Sequence, residues 1–108
     1  VGWTDFPGEA IRIAAGPHGN TWIIDKQNHI FRWGGEKWVR MPGQATDIAV
    51  SAIGSIWKIG TDKRPGGYGI YKWGDTDWVN EPGAAVRIAV GPKGNPWIIN
   101  EKNEIYIY

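Results

Sequence analysis

Apolar residues in this chain come in runs of four to seven, each closed by Gly, Pro, Asn or Asp. The runs fall into repeating sets. The first in each set is small and β-branched: Ala10–Ala15, Ala45–Ser51 and Ala85–Val90. The second carries a Trp between Ile neighbours: Thr21–Ile24, Ser55–Ile59 and Pro96–Ile99. The third ends in an aromatic ring: Ile30–Trp33, Ile70–Trp73 and Ile105–Tyr108. A tight turn, Gly34-Gly35-Glu36 or Gly74-Asp75-Thr76, then leads to a fourth run around Trp38 and Trp78. Short runs of this kind, rich in β-branched and aromatic residues and bounded by turn formers, predict strands. Turns such as Gly16-Pro17-His18-Gly19-Asn20 draw on residues that tolerate positive φ. Gly and Pro interrupt the chain too often for a long helix.

The sets are copies of one unit. Pro7-Gly8, Pro42-Gly43 and Pro82-Gly83 follow one another at intervals of 35 and 40 residues. Trp22, Trp57 and Trp97 keep those intervals, as do Trp3, Trp38 and Trp78, each four residues before its Pro. Trp33, Trp73 and Tyr108 are spaced 40 and then 35, because residues 60–69 contain an insertion of five. Four strands in a unit of roughly 40 residues match a β-propeller blade. The fold expected is therefore all-β, with blades at 10–41, 45–81 and 85–108.

Trp3–Phe6 matches the fourth strand but comes first, and the third unit stops after its third strand at Tyr108. One leading strand, two sets of four and a final three make 12 strands, or three four-stranded antiparallel blades with one outer strand displaced. Closed propellers typically have four to eight blades. Three blades in an arc leave two apolar faces and a free strand edge toward water. The expectation is a homodimer forming a six-bladed ring. Residues 3–6 of one chain then close the last blade of the other, through Trp3, Phe6, Ile105, Tyr106 and Tyr108. The other possibility is a fragment of a longer six-bladed protein.

Composition sharpens this picture. There are 8 Trp, 16 Gly and 7 Pro but no Leu, and with no Cys neither a disulfide framework nor a thiolate metal site is available. Twelve Lys and Arg balance 11 Asp and Glu at a formal net charge of +1, spread along the chain. That balance offers no electrostatic footprint for nucleic acid or an anionic membrane. No run approaches a membrane span, and no signal peptide is recognisable, so no compartment is assigned.

The unit resembles the tectonin repeat of tectonins, tachylectin-1 type lectins and fish egg lectins. The residues that carry the resemblance are Trp38-x-x-x-Pro42-Gly43-x-Ala45-x-x-Ile48-Ala49-Val50, then Gly54-Ser55-Ile56-Trp57, then Ile70-Tyr71-x-Trp73. Close equivalents stand at Trp3–Trp33 and Pro82–Tyr108. The resemblance implies a six-bladed propeller. It also implies binding of glycans such as N-acetylglucosamine, lipopolysaccharide sugars or O-methylated sugars. Family chains normally carry six repeats, whereas this one has three, and its first and third are unusually alike.

Binding residues are expected on loops, which a rigid scaffold presents to solvent. The loops Asp25–His29, Asp62–Tyr68 and Asn100–Glu104 lie on the face of the Pro-Gly-x-Ala segments. Asp25, Asn28, Asp62, Tyr68, Asn100 and Asn103 offer hydrogen bonds to vicinal hydroxyls, or merely satisfy turn backbone. Arg12, Asp47 and Arg87 open the first strand at equivalent positions, toward that face or the channel. Trp33 and Trp73 offer flat rings for stacking on sugars, as do Trp3, Trp38 and Trp78. Trp22, Trp57 and Trp97 are expected in the core.

Catalysis has little support. His18 and His29 stand on different loops with no nucleophile at a telling spacing. No pair of acids recurs as glycoside hydrolysis requires. Gly66-Gly67-Tyr68-Gly69 lacks the Lys and helix of a phosphate loop. No metal-ligand cluster is seen, and no cofactor is implied. The expected function is a non-catalytic, multivalent carbohydrate-binding propeller. The alternative is a structural or protein-interaction scaffold, including an engineered or ancestral symmetric half-propeller.

Overall fold

Each Trp- and Ile-rich run forms a strand beside the next run in sequence, because two- to five-residue turns permit only antiparallel neighbours. The structure, a computed structural model, describes residues 2–108. Strands β1 (Arg12–Ala15), β2 (Thr21–Ile24), β3 (His29–Trp33) and β4 (Trp38–Gln44) form the first sheet in that order. Strands β5 (Asp47–Val50), β6 (Ile56–Arg64), β7 (Gly67–Trp73) and β8 (Trp78–Ala85) form the second. In the third, β9 (Arg87–Val90), β10 (Pro96–Ile99) and β11 (Ile105–Ile107) pair in sequence order.

Alternation along the strands sends neighbouring side chains toward different blades. Trp22, Ile24, Ile30 and Met41 of the first sheet pack on Ile48, Ile56, Trp73 and Trp78 of the second. Trp57, Ile59 and Ile70 of the second pack on Ile88 and Ile98 of the third. The cores are therefore sandwiched between blades. Equivalent residues at the two ends lack that cover. Ile48 and Ile88 are 4% and 8% exposed, whereas Ile13, on the first blade's outward face, is 69% exposed. Trp22 and Trp57 are 0% and 3% exposed, whereas Trp97, on the third blade's outward face, is 48% exposed. Ile105 and Ile107 are exposed as well.

The Trp and Pro-Gly markers meet across blades. The β3–β4 ladder slips between His29↔Gln44 and Ile30↔Met41, leaving Pro42-Gly43 as a bulge. The β7–β8 ladder does the same at Pro82-Gly83. Pro has no N–H to give a ladder, and Gly43 (φ +80°) and Gly83 (φ +98°) take the left-handed conformation the bulge needs. The Trp78 indole Nε1 donates to the Pro42 carbonyl oxygen at 2.8 Å, and its ring lies against Gly43. Trp38 repeats the contact one step earlier, donating to the Pro7 carbonyl at 2.8 Å over Gly8. A Cβ on Gly8 would stand 2.6 Å from Trp38 Nε1, so the close approach itself calls for glycine.

Two expectations differ from the structure. Residues 3–6 belong to no strand, so 11 strands form among the described residues instead of 12. Among the described residues, the N-terminal segment has no ladder partner. It is held by Pro7 under Trp38 and by Phe6, which packs edge-on against Trp33 and Trp38 at 4.7 and 6.1 Å between centroids. The second correction concerns Asp62–Tyr68, which is not a loop. The inserted residues lengthen β6 and β7 into a hairpin, with Arg64 opposite Gly67 and only Pro65-Gly66 at the tip. Pro at the first turn position and Gly66 at φ +97° suit a tight turn, so the insertion grows as paired strand.

Candidate functional site

The β2–β3 connections and the starts of β1, β5 and β9 lie at one end of the blades. Trp33 pairs with Trp38, and Trp73 with Trp78, beside the β3–β4 turns at the other end. Trp33 and Trp73 thus stand at the opposite end of the blades from the loop residues Asp25, Asn28, Asn100 and Asn103. Trp73 packs edge-on with Trp22 at 5.8 Å and Trp78 at 5.0 Å, inside the inter-blade aromatic cluster.

Asp25 and Asn28 build their loop. Asp25 Oδ1 accepts the N–H groups of Gln27 (3.0 Å) and His29 (2.9 Å), while Asn28 sits at φ +67°. Burial alone would raise the Asp25 pKa, but these backbone donors and His29 hold the carboxyl below its ordinary value. Asn100 copies the arrangement with Lys102 and Glu104, and Asn103 takes φ +65°. The side-chain polar atoms of Asp25 and Asn100 are largely used by the chain itself.

What these loops present is the residues between. A groove of about 430 Å³ lies between the N-terminal segment and the first blade, lined by Glu9, Asp25, Lys26, Gln27, Phe31 and Trp38. Sequence reasoning missed Glu9, Lys26, Gln27 and Phe31. The signal lay in Asp25 and Asn28 themselves, because loop-building residues leave the pair between them exposed. The equivalent place between the second and third blades is a cavity of about 340 Å³, lined mostly by apolar groups from Trp57, Pro82, Gly83, Tyr106 and Tyr108.

At the same place between the first two blades stands Lys58. Ile23 and Ile98 are its counterparts, each opposite the first-strand Ile as Lys58 is opposite Ile48. Lys58 is 5% exposed. Its Nζ donates to the Gln44 carbonyl at 2.9 Å and lies over the Tyr71 and Trp78 rings at 5.0 and 4.7 Å. Burial pushes its pKa down to about 8, against the opposing pull of Asp62 and Asp77.

Asp62 is tied into the hairpin. It accepts from the Tyr71 hydroxyl at 2.8 Å and from Arg64 Nε at 3.2 Å. Burial would raise its pKa, but the Tyr71 and Arg64 donors outweigh burial and lower it. Burial and then the Asp62 carboxylate raise the Tyr71 pKa. Arg64 also reaches the carbonyls of Glu81 and Gly83 and the Asn80 side chain, clamping the hairpin on β8. Tyr68 packs on the core between the second and third blades, with Lys63 Nζ 5.3 Å from its ring centre. Lys63 in turn bridges to Glu101 of the third blade at 3.1 Å.

The inner strands carry Arg12, Asp47 and Arg87 in line. Asp47 is buried and bridges blades: it accepts the Ile48 N–H at 3.0 Å and the Ile88 N–H at 2.9 Å, with Arg12 Nε 3.9 Å away. Arg12 and Arg87 each donate to the preceding carbonyl, of Ile11 and Val86. Asp47 is thereby a cross-blade tie.

These features bring the known proteins into view. No curated protein matches the chain. A solved structure described as "YCF48 bound to D1 peptide" is similar at 20% identity and a TM-score of 0.57. The match covers 94% of this chain and 35% of that one, so this chain spans about a third of its length. That likeness shows the fold alone, an all-β arrangement of propeller type. The Tectonin domain model matches residues 9–108, nearly the whole chain and every element of the three sheets. The chain therefore belongs to the Tectonin domain family.

Proposed function

We propose that this protein is a non-catalytic, multivalent carbohydrate-binding protein that acts as a six-bladed ring of two chains. The observation that carries the reading is the groove beside Trp38. There the Phe31 and Trp38 rings meet Glu9, Lys26 and Gln27 at the blade edge. An aromatic wall suits the apolar face of a sugar ring, and the polar side chains suit its hydroxyls. Membership of the Tectonin domain family supports a propeller lectin. A two-chain ring carries this groove twice, which suits weak single sites acting together. N-acetylglucosamine, lipopolysaccharide sugars and O-methylated sugars are the ligands to try first.

The two-chain ring is supported by the end faces. Ile13 and Trp97 are exposed where their internal counterparts are buried, and each outward face presents what the other lacks. A second copy covers both faces at once through a self-complementary contact.

A glycan array with the full chain tests the binding. Methylated or amino sugars are expected to bind, and the double variant Lys26→Ala, Gln27→Ala is expected to lose at least ten-fold in affinity at an unchanged melting temperature. No binding to any methylated, amino or deoxy sugar at high protein concentration overturns the lectin reading.

A further inference from the structure

Two Trp–Pro-Gly contacts are made within the chain, and the parts of a third stand apart. Trp38 docks on Pro7-Gly8 and Trp78 on Pro42-Gly43, each donating its indole N–H to the Pro carbonyl. Pro82-Gly83 has no indole over it; it borders the cavity of about 340 Å³ instead. Trp3, first in the Trp series, is 104% exposed. One cavity lacks its indole, and one indole lacks its cavity.

We infer that the cavity at Pro82-Gly83 is an indole site filled by Trp3 of a second copy of this chain, its Nε1 donating to the Pro82 carbonyl. The inference rests on the two-chain reading above and specifies the group that joins the chains. Its floor is already built: Trp57 and Tyr108 stand where Trp22 and Trp73 meet Trp78, and Tyr106 stands where Tyr71 shares Lys58 with Trp78. Tyr108 packs edge-on against Trp57 at 6.1 Å, as Trp73 packs against Trp22 at 5.8 Å. Phe6 and Pro7 already hold the N-terminal segment against the first blade, in the places Met41 and Pro42 take against the second. The segment therefore follows the course of an outer strand belonging to a preceding blade.

The internal ladders fix the register. Trp33 faces Trp38 and Trp73 faces Trp78, so Tyr108 faces Trp3 of the second copy. Ile30 faces Met41 and Ile70 faces Glu81, so Ile105 faces Phe6. The free edge of β11 is then paired, and glycine at position 83 is required for the reason seen at Gly8, where a Cβ would press on the indole.

Complementation between full-length variants tests the site. Trp3→Ala removes the indole and leaves the cavity; Gly83→Ala crowds the cavity and leaves the indole. Each alone is expected to weaken association by about 30-fold or more, as loss of a buried aromatic anchor does. Mixed in equal amounts they restore one intact junction, so the mixture is expected to associate more tightly than either variant alone. Trp3→Phe, which keeps a ring but loses the N–H, is expected to fall between Trp3→Ala and wild type. Wild-type chains that pair while Trp3→Ala pairs equally tightly, or a mixture no tighter than its components, overturn the indole site and leave the ring reading standing. Wild-type chains that do not pair at all overturn the ring reading itself.

Discussion

Lys58 makes folding depend on pH in an unusual direction. Its folded pKa is about 8, against 10.5 for a free lysine, because burial between two blades disfavours the ammonium. Between those values the unfolded chain holds a proton that the folded chain has released. Stability must therefore rise with pH through this window. With those two pKa values, linkage gives an increase of about 2 kcal/mol from pH 7 to pH 9.5. Asp62 and Asp77, which favour the ammonium, are already included in the folded value. Tyr71 acts the other way, since its folded pKa is raised and its stabilisation is lost above about pH 10, so the measurement stops at 9.5. Replacing Lys58 by Ile, the residue at both counterpart positions, removes the titrating group and keeps a strand-forming side chain. Urea unfolding at pH 7, 8, 8.75 and 9.5 on both proteins is the assay. A rise in wild type and its absence in Lys58→Ile are expected. A flat wild-type profile, or an equal rise in the variant, refutes the buried, strained ammonium.

Other perturbations follow from comparing the units. Trp22 Nε1 donates to Asn20 Oδ1 at 3.0 Å, but Ser55 replaces that Asn in the second unit and Trp57 Nε1 is buried without a partner. Ser55→Asn is expected to raise unfolding free energy by about 1 kcal/mol, measured by chemical denaturation. Asp25→Asn is expected to keep the loop, because Asn100 builds the same loop in the third unit, and to lower the melting temperature slightly at neutral pH, because the Gln27 and His29 donors favour the carboxylate, as thermal unfolding will show. Trp22→Ala is expected to cost about 3–5 kcal/mol at any protein concentration. Trp97→Ala is expected to cost less than half of that in dilute solution and, on the two-chain reading, to approach it as concentration rises, since Trp97 is 48% exposed in the single chain.

The fold was largely legible because the repeat is written in residues with distinct physical duties. Gly must lie under an indole, Pro must leave the ladder, and Ile alternates between two blade faces. The four-strand count of the first two units follows from that pattern. The hairpin at 60–69 was not legible, because Asp62, Lys63 and Arg64 look like solvent loop until Tyr71, Asn80 and the β8 carbonyls are placed beside them. Trp3–Phe6 carries a strand's sequence but pairs with no edge of its own chain, and a strand is a property of the pair. The candidate site was half legible. Asp25 and Asn100 stand on the β2–β3 and β10–β11 connections as expected, yet their polar atoms bind backbone, and the exposed side chains belong to their neighbours. Trp33 and Trp73 share the aromatic character of a sugar platform, but only packing reveals that Trp73 is enclosed by Trp22 and Trp78.

Sedimentation equilibrium of the wild-type chain at micromolar concentration tests the account most directly. A chain of 12.0 kDa that completes its propeller with a second copy gives a particle of twice that mass, about 24 kDa. A particle that stays at 12.0 kDa up to high concentration, with Trp97 and Ile13 left to water, contradicts it.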